Sequence, residues 1–263
     1  MSDYEALRIE TNDHVCEITF TRPELHNRID EPLHKDLIRV FDMLRETEEI
    51  RAVVLASTGK TFSAGGDLNE VFRMQKDHAV RARITEQGRR LFNTLIDVPI
   101  PIVVALHGDA LGLGANIVLA CDSIVACKKA RLGDTHVPAG MVAGDSGCVV
   151  WPQSVGMMWA KRHLLTGDKM SAEQAYARGL VTDLVETPEE VLPAARALAG
   201  RIAALPPLAV QMTKKALNRV LQQRAGEVFE YSLALEQISI MSDDIREAVS
   251  AFLEKRTPVY QGK

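Results

Sequence analysis

The chain has 263 residues, 46% of them hydrophobic and 25% charged, with a formal net charge of −4 and a pI near 6.0. That composition supplies a sizeable core for one large domain or two small ones, and it argues against nucleic acid and anionic membrane as partners. The cysteines (Cys16, Cys121, Cys127, Cys148) form no C-x-x-C pair and no metal-ligand spacing, so reduced thiols, no metal site and a cytoplasmic location are expected.

Taken in chain order, the N-terminal "MSDYEALRIE" is charged and lacks the apolar core of a secretory signal. "VCEITF" (15–20) alternates and reads as a strand, and "RPELHN" follows as a loop. Residues 31–49 carry Leu33, Leu37, Ile38, Phe41 and Leu44 at helical spacing. "AVVLAS" (52–57) and "IVVAL" (102–106) read as strands buried on both faces, each ending in a glycine-bearing loop that leads into a helical pattern. His107, Asp109, Asn116 and Asp122 interrupt the apolar stretch 100–127, which is therefore no membrane span. "SIVAC" (123–127) and "ARLG" (130–133) read as a further strand pair. Beyond about residue 155 the pattern is helical, with candidate helices at 157–166, 171–178, 188–203, 206–223, 225–241 and 243–255. An α/β core over residues 1–203 and a helical part over 204–263 are expected, with the break near Pro206-Pro207.

The two glycine loops, "SAGGD" and "GLG", are the natural place for chemistry, because loops at strand ends of an α/β sheet bind ligands. Gly65, Gly66, Gly112 and Gly114 permit close backbone approach. One N–H from each loop could converge on a single oxygen as an oxyanion hole. Both loops could equally be tight turns. Neither fits a G-x-G-x-x-G or P-loop nucleotide motif.

"TFSAGGDLNE", "GDALGLGANIVLACD", "LLTGDKMSAEQAYARGLVTDLVE" and "SDDIREAVSAFLEKRTPVY" resemble, in this order, the crotonase superfamily, the enoyl-CoA hydratase/isomerase family. The resemblance runs from about residue 7 to 260. It implies a spiral of ββα units with a helical C-terminal trimerisation region, and trimers or dimers of trimers. It also implies an oxyanion hole at the Gly66 and Leu113 N–H groups that stabilises a thioester enolate. Coenzyme A, as part of the substrate and with no other cofactor, is implied to run past Arg22 and His26 and along Phe62 and Ala64. Phe252 and Lys255 of a neighbouring C-terminal helix would cover it.

The departures are as informative. Hydratases of the family carry two glutamates for acid–base work; the matching positions here are Asn116 and His136. Asn116 cannot transfer a proton, but it can hold a water or a substrate carbonyl. His136 is expected to act as a base near pH 7 without any special shift. The segment "HVPAGMVAGDSGCVVWPQSVG" (136–156) is similar to the branch containing a carbon–carbon hydrolase of cyclic β-diketones, 6-oxocamphor hydrolase, which implies catalytic roles for His136 and Asp145. His34 and Glu236 fall on functional positions of that branch, whereas Leu113 replaces a histidine of it.

Each of these residues also has a plain structural use. Asp145 could cap a helix, His34 and Glu236 could sit on exposed helix faces, and Lys214-Lys215 reads as a solvated pair. Trp151 suits either an acyl pocket or core packing. The expected function is that of an enzyme acting on an acyl-CoA thioester through a stabilised enolate. The alternatives are a β-dicarbonyl hydrolase using His136 and Asp145, and a non-catalytic binding protein of the same fold.

Overall fold

The computed structural model describes residues 4–263, with the side chain of Phe252 outside the described set. Strands β1 (Leu7–Asn12) and β2 (Val15–Phe20) form an antiparallel hairpin. Asp13 and His14 both have positive φ at its turn, the type I′ pattern that matches the twist of the strands. From β2 onward the main sheet is parallel, in the order β1-β2-β3-β4-β6-β9, with β3 (Ala52–Ser57), β4 (Ile102–Leu106), β6 (Ser123–Cys127) and β9 (Asp183–Val185). Residues Ala52–Ala56 and Ile102–Leu106 are all buried, as expected of strands covered on both faces.

The crossovers are helical. α1 (Glu31–Glu46) follows β2, and α2 (Leu68–Lys76) and α3 (His78–Asp97) follow β3. α1 begins where Asp30 accepts the Leu33 N–H, an N-cap, and buries Leu33, Leu37, Phe41 and Leu44 on one stripe. The connection after β4 contains β5 (Ala110–Leu111) and the short α4 (Leu113–Leu119). A second sheet has the order β5-β7-β8, with β7 (Arg131–Gly133) and β8 (Met170–Ser171). The segments at 123–127 and 130–133 are thus not a pair; they belong to different sheets.

The rest of the chain is helical: α5 (Gly147–Val155), α6 (Met157–Thr166), α7 (Ala172–Ala177), α8 (Pro188–Ala203), α9 (Pro207–Ile240) and α10 (Asp243–Glu254). α8 lies across β3, β4 and β6, and α9 packs on α5 and α3. The two helices expected at 206–223 and 225–241 are one. The helix runs through the expected gap at residue 224, and Ala225 and Phe229 are buried just beyond it and anchor the rod there. Phe229, Leu233 and Ile240 are buried inside the chain and so are not a free apolar face; the exposed apolar residues of α9 include Leu208, Met212, Leu217, Val220, Tyr231 and Ile238.

Lys214 departs from the solvated reading. It is buried, with its Nζ donating to Ile100 O at 2.9 Å and pairing with Asp122 Oδ2 at 2.7 Å, while that oxygen also accepts the Ile102 N–H at 2.7 Å. The pair ties α9 to the start of β4. Lys214 is enclosed but Asp122 reaches solvent, so losing the lysine forfeits its bonds without stranding a buried charge. Lys214→Ala is therefore expected to lower unfolding free energy by about 1–2 kcal/mol, read from urea denaturation, while Lys215→Ala on the exposed side leaves the midpoint unchanged.

Candidate active site

The two glycine loops meet along a seam. The Ser63 N–H donates to Asp109 O at 3.1 Å and the Leu111 N–H to Ser63 O at 3.0 Å, a short parallel bridge between the loops. A side chain on Gly65 (φ +90) would begin 2.6 Å from Leu111 O, and one on Gly114 would begin 2.7 Å from Ser63 Cβ. Neither approach is possible with a Cβ, so both glycines are fixed by contact, and Gly65 by its φ as well. The seam leaves the Gly66 and Leu113 N–H groups without an acceptor among the described residues. Gly66 is exposed, and Leu113 opens α4, where the first N–H groups have no partner within the helix.

Behind this seam lies a buried polar cluster. His136 follows β7 and its ring edge faces Gly112, with Cε1 3.7 Å from where a Gly112 side chain would start. Its Nδ1 donates to Asp134 Oδ1 at 2.8 Å, and the same oxygen accepts the His136 backbone N–H at 3.0 Å. Its Nε2 faces Asp145 Oδ2 at 3.0 Å. Asp134 is fully buried. The Asn116 amide nitrogen, on α4, donates to Asp134 Oδ2 at 3.2 Å and to Asp145 Oδ1 at 2.9 Å, and its oxygen accepts the Trp151 indole N–H at 3.0 Å. Glu236 reaches in from α9, buried, with its Oε2 unpartnered among the described residues. One ligand atom each from His136, Asp145 and Glu236 lies within 4.8 Å of the others.

The cluster sets the charge on its members. Burial by itself would push the His136 imidazole down, but the Asp134 and Asp145 charges and hydrogen bonds outweigh it and hold the ring well above 6.5. The expectation of a histidine without any special shift is thereby corrected: the two carboxylates favour the protonated ring and raise the pH at which it becomes a base. Asp134, although burial opposes it, is held below the usual carboxylate range by the same partner. Burial and the neighbouring Asp145 push Glu236 well above its usual value, which favours its protonated form. Burial lowers the fully enclosed His34, which stays neutral, with an unpartnered Nδ1.

Several structural alternatives close. Asp145 caps no helix: α5 starts after Ser146 with no side-chain cap bond, and Ser146 itself sits at φ 110, a strained conformation costing a non-glycine residue about 1–3 kcal/mol. Both N–H donors of Asn116 are engaged, so its NH₂ is not free for a substrate carbonyl in this state. Glu236 and His34 are not surface residues, and Trp151 is fully buried in the core. Asp134 is the member that sequence did not single out. Its only local signal is the D-x-H spacing, which lets an aspartate accept the N–H two residues on.

The residues expected at coenzyme A are more dispersed. Arg22 is committed to an ion pair with Asp30. Phe62 is fully buried against Phe20, with centroids 5.5 Å apart, so it can face a ligand only through its backbone. His26, Ala64 and Lys255 are exposed, and the Phe252 side chain lies outside the described residues. Two surface cavities, of about 300 Å³ beside Trp159 and Arg178 and about 620 Å³ between the β1–β2 hairpin and α8, lie away from the cluster.

A helix-crossed parallel sheet with two seamed glycine loops at its strand ends is the architecture of crotonase-fold proteins, and comparison bears this out. An enoyl-CoA hydratase/isomerase from Mycobacterium paratuberculosis superposes with a TM-score of 0.90 at 32% identity, covering 95% of this chain and 99% of that one. The (E)-benzylidenesuccinyl-CoA hydratase of Thauera aromatica is 33% identical over 257 residues, 97% of this chain and 98% of that protein. The 2,3-dehydroadipyl-CoA hydratase of Escherichia coli K12 is 30% identical over 257 residues, 98% and 99% of the two chains. The enoyl-CoA hydratase/isomerase family profile matches residues 10–263, and the chain belongs to that family of enzymes. Among the described residues no helix is long and apolar enough to cross a membrane.

The charge state of the cluster makes stability depend on pH. An unfolded chain releases the His136 proton near 6.5 and the Glu236 proton near about 4.3, while the folded chain keeps both to higher pH. The folded state therefore binds more protons across these windows, and its stability falls as pH rises through the folded values. The urea midpoint is expected to decline from pH 6 to pH 9, and His136→Gln should flatten that decline. A midpoint that rises over the same range in the wild type contradicts this assignment.

Proposed function

We propose that the protein binds an acyl-CoA thioester, holds its carbonyl oxygen with the Gly66 and Leu113 N–H groups, and moves the C2 proton through His136 Nε2: the neutral ring takes the proton to form the enolate, and the imidazolium so formed returns it. The observation that carries this reading is the imidazolium bracketed by Asp134 and Asp145 directly behind the Gly112–Leu113 turn. Two backbone donors aimed at a developing oxyanion stabilise the enolate without reorganisation. The Nε2 proton of His136, shared with Asp145 in the resting chain, is the one available for transfer, while Asp134 keeps the ring fixed through Nδ1. Once the proton has left, the neutral imidazole is the group that can take it back. Proton transfer by one positioned side chain is worth about 10²–10⁴-fold in rate.

The relatives that are hydratases support the thioester class; the acyl group is left open. Hydration by a pair of glutamates has no counterpart in Asn116 and His136, so crotonyl-CoA is expected to be hydrated only at trace rate. Enolate formation can be followed without knowing the acyl group, by deuterium entering C2 of butyryl-CoA in heavy water. The wild type should catalyse this exchange, and His136→Ala should lose it by about 10²-fold or more. Because removal of the C2 proton needs the neutral ring, whose pKa is held above its usual range, the rate should still be rising with pH above 6.5 rather than levelling there. Exchange that is equal in His136→Ala and wild type would refute the assignment. Lys255→Glu should weaken butyryl-CoA binding in calorimetry while leaving the melting temperature unchanged.

A second reading, hydrolysis of a carbon–carbon bond in a β-dicarbonyl compound, is favoured by the convergence of His136, Asp145 and Glu236 within 4.8 Å, a geometry able to hold a hydrolytic water. Turnover of a cyclic 1,3-diketone without CoA selects it over the first.

Assembly as a trimer or dimer of trimers belongs to the same proposal. Leu208, Met212, Leu217, Val220, Tyr231 and Ile238 expose apolar side chains along one helix, which an interface between copies would cover. Light scattering at micromolar concentration is expected to give a multiple of 29.0 kDa; a stable monomer contradicts it.

A further inference from the structure

Asn116 holds the carboxyl groups on both sides of His136 with a single NH₂. An amide can be turned end for end at little cost in shape, and turned the other way it would present its oxygen to both carboxyl groups. The two carboxylates favour the NH₂ on their side, and Trp151 holds the same orientation from the opposite end of the amide. An indole N–H can only donate, so it fixes the amide oxygen on its own side, at 3.0 Å, and leaves the NH₂ facing Asp134 and Asp145. The indole is itself fully buried on α5 and stacks on His163 at 5.9 Å, whose Nδ1 is bonded to Asp168 O at 2.8 Å. The wall opposite is equally fixed: a side chain on Gly147 would begin 2.7 Å from Asp134 Oδ2 and 3.2 Å from Asn116 Nδ2, so nothing larger than glycine fits beside the clamp.

We infer that Trp151 is a positioning residue for the proton donor: it acts through the orientation of the Asn116 amide to keep Asp134 and Asp145 bracketing the two ring nitrogens of His136. The inference rests on His136 as the proton-transfer group, but it makes a statement about geometry that needs no substrate. It separates Trp151 from an ordinary core tryptophan. Packing alone would be served by any large apolar ring, whereas orientation requires the N–H.

The test is a double-mutant cycle read in two ways. In protein labelled with ¹⁵N-histidine, the His136 ring N–H signals are assigned by their loss in His136→Gln. Trp151→Phe is expected to move or broaden both signals in the same sense as Asn116→Ala, and adding Trp151→Phe to Asn116→Ala should change nothing further, the non-additivity of residues acting as one unit. In the deuterium-exchange assay, Trp151→Phe should lower the turnover rate roughly tenfold with the apparent KM for butyryl-CoA unchanged, again with no further loss on Asn116→Ala. Unmoved His136 signals in folded Trp151→Phe, or additive effects in the cycle, overturn the inference. If Trp151→Phe does not fold, 5-fluorotryptophan incorporated into Trp159→Phe leaves Trp151 as the sole tryptophan and keeps its shape while making its N–H a stronger donor. The side-chain amide signals of Asn116 should then shift, and their constancy overturns the inference just as well. Should the His136 signals respond as expected while no acyl-CoA exchange occurs in any variant, the positioning role stands and the proposed reaction falls.

Discussion

A positive imidazole ring held between two carboxyl groups in a nearly water-free interior is the interaction around which this molecule is arranged. Burial opposes every charge in the cluster, and an isolated charge there would shift its pKa and become neutral. The cluster persists because the opposition is shared. Asp134 and Asp145 favour the charged ring, the ring favours Asp134, and the one NH₂ of Asn116 stands between the two carboxyl groups. Glu236 is the member left over. With no donor to its Oε2 among the described residues, it is driven toward its protonated form. This logic explains why an asparagine at the start of α4 does no proton transfer yet belongs to the site.

The glycine seam supplies the second half of the arrangement by a different means. No charge is involved; the loops meet because Gly65 and Gly114 have no side chains to hold them apart. The seam turns two N–H groups away from internal partners, and β7, lying beside β5 in the small second sheet, delivers His136 to the back of the same turn. Donors for an oxyanion and a donor of a proton are thus brought to one place by short backbone contacts rather than by long side chains.

Much of this was legible along the chain, and what was not has a physical reason. The strands at 52–57 and 102–106 are apolar throughout because both their faces are covered, so their runs stand out. β1 does not: it is an edge strand in which only Leu7 is buried, and its polar residues hide it. The glycine loops declared themselves by composition. The ionisation of His136 did not, since it depends on Asp134 and Asp145 being brought to opposite sides of one ring, which no spacing in sequence encodes. Glu236 and Lys214 read as surface residues because their helix is polar on most sides, and only its packing against α5 and the sheet shows which of its charges are enclosed. The unbroken length of α9 was read as two helices meeting at residue 224, because the anchoring of Ala225 and Phe229 against the core is a property of packing rather than of local sequence.

That one helix has a consequence for how this chain can change over evolutionary time. Within two turns α9 seals the cluster from behind with Glu236, receives the Gly144 carbonyl through Ser232 Oγ at 3.0 Å, and displays Tyr231 and Ile238 on its outer side. Inner and outer residues are spliced in register on a rigid rod of 34 residues. An insertion or deletion there rotates every following residue about the axis by roughly 100°, withdrawing the acid from the interior and turning the outer surface together. Drift in this segment is therefore confined to replacement of one side chain by another, and length variation among descendants of this chain should fall in the loops that precede and follow it.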